Sequence, residues 1–315
     1  MRRFLVILAG MVAVLSAGAA TITEDFSTDP LQNGWAIFGD TNLFNWNSTD
    51  RTLEVTWDSS QTNSYFYHKL GTILARDDDF SIAFDLSLSN ATAEGFGFEI
   101  ALGFLNYQNA TNANFVRGTG RNSPNLVEWD YFPPAMYDAT VSTFIISTNS
   151  SHYGWETTFP LELTAGDWFH VVMTFTASNQ TLHTDMTDNG VPFGPINDAV
   201  LGAGFTDFRA DMVSITSYNG ANSMSSVLAH GVISNLVVTV PPPPVQNLAG
   251  SYSNATWRVS FANRTNWLYT LQRTTNFLSW TNVSPATPGV AGALTLADTN
   301  PPPVNAFYRV QANRP

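Results

Sequence analysis

The sequence predicts an all-β chain: a two-sheet antiparallel jelly-roll sandwich followed by a small C-terminal β-sandwich. Three observations lead there. Apolar and polar residues alternate with a period of two, as in "FSIAFDLSL", where Phe80, Ile82, Phe84, Leu86 and Leu88 share one face. No stretch after the first twenty residues carries a helical stripe. Four consecutive prolines, Pro241 to Pro244, divide a long segment, residues 21 to 240, from a short one, residues 245 to 315.

The first twenty residues read as a cleavable export leader. Arg2 and Arg3 make a basic start, Phe4 to Leu15 is apolar, and Ser16 to Ala20 offers a small-residue cleavage site. The apolar run is short of the ~20 residues that span a bilayer. The expected location is therefore secreted or in the cell envelope, extracellular or periplasmic.

Without Arg2 and Arg3, 11 basic residues face 25 acidic ones, a net charge of about −14, and Lys69 is the one lysine. Such a surface repels nucleic acid and anionic membranes and suits a neutral or cationic partner. The absence of cysteine excludes disulfides, thiolate metal sites and a cysteine nucleophile. An exported chain without disulfides relies on its core, and one of this length buries roughly 70–75% of its surface. Asn-x-Ser/Thr sequons recur from Asn47 to Asn282, as expected by chance in an Asn/Thr-rich chain.

Along the first segment, "RTLEVTW" sets Leu53, Val55 and Trp57 against Thr52, Glu54 and Thr56. "FHVVMTFTA" sets Phe169, Val171, Met173 and Phe175 against His170, Val172, Thr174 and Thr176. Each reads as a strand with one buried face, and "TDNG" at 187 to 190 reads as a hairpin turn. The prolines favour a stiff, extended spacer at about 3.1 Å per residue. After them, "TWRVSFA", "WLYTLQR", "WTNV", "GALTLAD" and "AFYRV" read as short strands of a second, smaller sandwich.

The chemistry concentrates in "PNLVEWDYFPPAMYDA", residues 124 to 139. Alternation puts Glu128, Asp130 and Phe132 on one face and Val127, Trp129 and Tyr131 on the other. Trp129 and Tyr131 suit the space between two sheets. The two acids then point outward, where an arginine from the upstream "FVRGTGRN", Arg117 or Arg121, can neutralise them bidentately. Three roles stay open: a solvated or salt-bridged polar face, ligand or cation binding, and catalysis.

Among the tryptophans, Trp57, Trp129 and Trp168 lie within strand patterns and are expected in the core. Trp35, Trp46 and Trp155 lie near segments rich in Asn, Gly and Thr. "SSHYGWETT", around Trp155, is the cluster best suited to stack on a sugar ring, with packing under a loop as the competing role. "RGTGRN" lacks the third glycine and the following helix of a phosphate-binding turn. "RDDDF" at 76 to 80 reads as a solvated turn. There is no His-x-x-x-His on a helix and no Gly-x-Ser-x-Gly elbow.

Residues 21 to 240 resemble the concanavalin A-like lectin/glucanase superfamily, including laminin G-like jelly rolls. The resemblance is carried by "EDFSTDP…NGWAIFGD", by the strand-turn-strand "GDWFHVVMTFTASNQTLHTDMTDNG", and by "AHGVISNLVVTV", which looks like a closing strand that returns beside the first. The tail, with "YTLQRTTNFLSWTNV" and "AFYRVQ", resembles a fibronectin type III-like accessory module of secreted bacterial proteins.

Laminarinase-type hydrolases of this superfamily carry Glu-x-Asp-x-Glu or Glu-x-Asp-x-x-Glu on the equivalent strand. Glu128 and Asp130 match, but Phe132 and Pro133 hold the third position, leaving Glu99 or Asp138 as the substitutes. Legume-type lectins ligate a transition metal and calcium through a similar Glu-x-Asp strand. That implies Glu128, Asp130 and Asp138 as metal ligands and calcium as the candidate cofactor, although Pro134 replaces the lectin asparagine. The resemblance places Glu128 and Asp130 at a ligand face, and Arg117 and Trp155 are the residues expected near it. It implies an exported, non-catalytic protein that binds a polysaccharide or glycan surface. The alternatives are a laminarinase-type glycoside hydrolase and a structural surface protein without a small ligand.

Overall fold

The computed structural model describes residues 19–117, 123–221, 223–303 and 305–315. The expected leader, except Ala19 and Ala20, and Arg121 lie outside the described residues. The chain forms two compact units, one of Ala19–Pro241 and one of Pro242–Pro315. Both are built of antiparallel sheets.

The larger unit is a jelly-roll sandwich of a nine-stranded and a seven-stranded sheet. The period-two segments become its strands. "FSIAFDLSL" opens the strand Phe80–Glu94, and "FHVVMTFT" is the strand Phe169–Thr176, paired in register from Phe169↔Leu86 to Phe175↔Phe80. The hairpin expected at "TDNG" forms. Asn189 and Gly190 both take positive φ, 47° and 81°, and link Thr181–Asp188 to Val191–Pro192. Two left-handed residues match the twist of a two-residue hairpin turn. The strand Ser226–Val240 returns beside the first strand, Ala20–Glu24, with Ala20 opposite Val240. Ala20 thus belongs to the fold, one residue ahead of the boundary expected from the sequence.

The inner faces supply the core. Phe84 from the nine-stranded sheet meets Trp129 from the seven-stranded sheet edge-on, with ring centroids 5.5 Å apart, and Phe80 meets Phe104 at 5.0 Å. One tryptophan departs from the sequence reading. Trp168 precedes the strand on its outward register and is 41% exposed rather than in the core. Trp35 turns inward at the start of the Trp35–Phe38 strand and stacks on Phe66 at 4.9 Å, buried.

The seven-stranded sheet runs Tyr153–Thr158, Thr140–Ile146, Leu126–Phe132, Ile100–Leu105, Ala210–Ser217, Ser64–Leu74, Trp35–Phe38. The smaller unit has a three-stranded and a four-stranded sheet. Phe261 of the first meets Tyr269 of the second at 5.2 Å, and Val259, Leu271, Leu294 and Leu296 are buried with them.

Candidate functional site: a sealed acid cluster beside an aromatic cleft

Pairing in the seven-stranded sheet fixes which side chains share the face turned away from the core. Glu128 lies opposite Gly103 on one side and Phe144 on the other; Asp130 lies opposite Ala101 and Ser142. The small neighbours make room for the acids. A Cβ at Gly103 would stand 2.2 Å from the Val127 carbonyl oxygen and 3.0 Å from Glu128 Cγ. Trp129 and Tyr131 take the opposite, core-facing side and are buried, as alternation requires.

The acids do face outward from the core, yet both are 0% exposed. The cause is a segment distant in register. From Asn106 to Arg117 the chain folds across this part of the sheet. The Tyr65 hydroxyl donates to the Ala110 carbonyl oxygen at 3.0 Å, and Asn63 Nδ2 donates to the Phe115 carbonyl oxygen at 3.1 Å. The Phe115 ring stacks on Tyr218 at 6.2 Å. At the end of this segment, Arg117 is driven into the acids. Its Nε donates to Glu128 Oε2 at 3.1 Å and its Nη2 to Asp130 Oδ2 at 2.6 Å, while Nη1 lies 3.6 Å from Glu99 Oε1. The guanidinium sits 4.8 Å over the Phe144 ring, and the Tyr218 hydroxyl donates to Glu128 Oε1.

This cluster packs three carboxylates around one guanidinium away from water. Burial pushes the Glu128 carboxyl up to about 7, because Arg117 and the Tyr218 hydrogen bond only partly offset the loss of solvent. Burial likewise raises Asp130 well above the usual carboxylate range. Burial alone would discharge Arg117, but Asp130, Glu99 and Glu128 more than offset it and hold the guanidinium charged. The two acids thus hold their protons more tightly than exposed acids do. Of the two substitutes considered for the missing third carboxylate, the fold brings Glu99 to the acids.

Asp138 is not brought to them. It is exposed, and it lines a different feature. Among the described residues no group of three His, Cys, Asp or Glu side chains is placed to hold a metal ion. The expected Glu128–Asp130–Asp138 ligand set is therefore not assembled. The place between Glu128 and Asp130 that a cation would take is filled by Arg117, because one guanidinium satisfies two carboxylates bidentately.

Asp138 instead lies at a cleft of about 350 Å³ on the same face, further along the strands. Its floor is Phe132, Thr140, Phe144 and Thr157, and its walls include Phe96, Tyr137 and Phe159. Phe96 and Tyr137 stack at 6.0 Å, and the Met136 amide donates to the Gly95 carbonyl oxygen at 3.0 Å, tying the two wall loops together. Tyr137 and Phe159 are 62% and 67% exposed. Beside the cleft, Trp155 stands opposite Phe144 in register, stacks parallel to it at 6.1 Å and is 54% exposed.

Of the residues expected at a ligand face, Trp155 falls beside the open cleft, while Arg117, Glu128 and Asp130 fall beneath the covering segment; Asp138, expected as a metal ligand, lines the cleft instead. Phe96, Phe144 and Phe159 were not singled out from the sequence. Alternation does not mark Phe144, which in "TVSTFII" is followed by two more apolar residues, Ile145 and Ile146.

No family model matches the chain, and no curated protein matches it. Solved structures similar to it include peanut lectin with a nine-residue peptide, at 15% identity over 70% of this chain and 99% of that one, TM-score 0.44. Another is lectin II from Ulex europaeus, at 13% identity over 72% and 100%, TM-score 0.49. A third is a family 7 alginate lyase, A1-II′, in complex with substrate, at 11% identity over 64% and 83%, TM-score 0.39. At such identities the likeness is one of fold, and neither a ligand nor a reaction carries over from these proteins to this chain.

Proposed function

We propose that the Ala19–Pro241 unit is a non-catalytic carbohydrate-binding domain whose ligand sits in the aromatic cleft. The observation that carries this reading is a cluster of exposed rings, Phe96, Tyr137, Phe159 and neighbouring Trp155, around a cleft that also offers the Thr140 and Thr157 hydroxyls and the Asp138 carboxylate. A sugar has apolar C–H faces that stack on rings and a hydroxyl rim that needs a few placed hydrogen-bond partners. The cleft has that composition and, at about 350 Å³, falls within the ~300–1,000 Å³ of small-ligand sites. Rings left in water at this density call for a partner.

The rival reading, hydrolysis of a glucan by Glu128, needs that carboxyl to reach a glycosidic oxygen. It is buried under Arg117 and Tyr218, so Arg117, Glu128 and Asp130 serve to hold the covering segment and to set Phe144. The leader supports an encounter with the glycan outside the cytoplasm. The seven strands of the C-terminal unit support a fibronectin type III-like accessory module.

The test is a glycan array followed by calorimetry on the best ligand. Tyr137→Ala is expected to weaken binding at least tenfold, and Glu128→Gln to leave it within about twofold. Glycan binding untouched by Tyr137→Ala, or reducing-end release that disappears in Glu128→Gln, would overturn the assignment.

A further inference from the structure

The reading of the cleft as a sugar site leaves open which sugars it takes, and the surrounding face narrows that choice. We propose that the ligand is an uncharged oligosaccharide of at least two units, one seated in the cleft and the next on Trp155. This rests on the carbohydrate reading above.

Length follows from register. Thr157 on the cleft floor and Trp155 lie two residues apart on one strand and on the same face, which spaces them about 7 Å along the sheet. Phe144 serves both places. Its side chain forms part of the floor and its ring stacks parallel to the Trp155 indole. Arg117 packs on the same Phe144 ring at 4.8 Å and is itself held by three buried carboxylates, so the ring that joins the two places is braced from behind. The Tyr153–Thr158 strand is the edge of its sheet, and the outward Trp155 ring gives a second stacking surface just outside the cleft. A single sugar ring in the cleft leaves that surface unused.

Charge follows from the lining. Among the described residues, Asp138 is the one charged residue lining the cleft. Arg117, whose guanidinium packs on Phe144 of the floor, is already committed to Glu99, Glu128 and Asp130. The chain's single lysine sits elsewhere, 3.5 Å over the Tyr107 ring and beside Asp211. No described residue lining the cleft compensates the carboxylate of a uronic acid or a sulfate ester, and with a formal net charge of −12 over the whole chain the long-range field opposes its approach. Neutral hydroxyls, in contrast, can be met by Asp138, Thr140 and Thr157.

The experiment uses the full-length protein after removal of any leader. Glucose, mannose, xylose and galactose, their neutral β- and α-linked di- and trisaccharides, and the trimers of galacturonate and mannuronate are titrated by ligand-observed NMR and calorimetry. The expected result is a neutral series in which the trisaccharide binds at least tenfold tighter than its monosaccharide, with the uronate trimers at least tenfold weaker than the best neutral trimer. Trp155→Ala should weaken trisaccharide binding several-fold more than monosaccharide binding and so remove most of the gain with length, while Tyr137→Ala should weaken both alike. Trp155 is exposed, so the variant is expected to fold; circular dichroism checks this, and Trp155→Phe should retain part of the gain. Saccharide binding without a gain from mono- to trisaccharide, an equal loss of mono- and trisaccharide binding in Trp155→Ala, or uronate trimers binding as tightly as neutral ones would each overturn this inference alone. No saccharide bound by the wild type would overturn the carbohydrate reading beneath it.

Discussion

Replacing Arg117 by alanine should be the most damaging single change in the larger unit, and the damage should depend on pH. Arg117 is buried and makes contacts of 2.6, 3.1 and 3.6 Å with three buried carboxylates. Removing one partner of a buried ion pair leaves charge without compensation and costs about 3–5 kcal/mol. The acids can escape part of this cost by taking up protons. At pH 8, above the value of about 7 to which Glu128 is raised, the cost should therefore be about 3–5 kcal/mol. At pH 5 Glu128 is already neutral, and the loss should fall to roughly 1.5–3 kcal/mol, that of hydrogen bonds to a charged group. Scanning calorimetry and urea unfolding at both pH values measure the difference, the transition of the larger unit being the one that moves. A loss near 1 kcal/mol at both pH values, typical of an exposed pair, would refute the account of a sealed cluster.

The same cluster predicts how the unmodified protein responds to pH. Glu128 binds its proton more tightly when folded, about 7 against an ordinary 4.5. Its stabilisation is thus complete below pH 4.5 and lost as pH rises through 7, by about 3 kcal/mol at 1.36 kcal/mol per unit. Glu128→Gln should flatten that slope in urea titrations at pH 5, 7 and 9, and an unchanged slope would count against it. Gly103→Ala should lower stability by about 1–3 kcal/mol, the cost of forcing atoms into a packed site, since its Cβ would meet the Val127 carbonyl oxygen at 2.2 Å. An unchanged melting temperature would show that the two strands separate easily.

How far the site could be read from sequence differs residue by residue. Alternation in "LVEWDYF" correctly assigns Trp129 to the core and Glu128 and Asp130 to the outer face, because side-chain direction along a strand is a local property. It could not reveal that the outer face is covered there. That depends on the 106–117 segment crossing the sheet, held by Tyr65, Asn63 and Tyr218 from elsewhere in the chain. The upstream "FVRGTGRN" offers Arg117 and Arg121 as partners of the acids, and Arg117 takes that place. The resemblance to lectins groups Asp138 with Glu128 and Asp130, yet the chain after Phe132 leaves the strand at two prolines, and this carries Asp138 away to the cleft. Trp168 departs from expectation for a related reason: it immediately precedes a strand, where one residue of register decides between inside and outside.

The placement of the Ser226–Val240 strand sets the order in which this unit can be made. It is the last strand of the unit in sequence, yet it pairs with Ala20–Glu24, Thr52–Asp58 and Phe80–Glu94. Until residue 240 has left the ribosome, those three strands lack the neighbour that joins them, and their unpaired edges are open to other chains. Most pairings of the nine-stranded sheet then form over long sequence separations, a topology that folds slowly. Shortening the chain from its C-terminus past residue 226 would therefore remove not a margin but the strand that joins three others within the sheet.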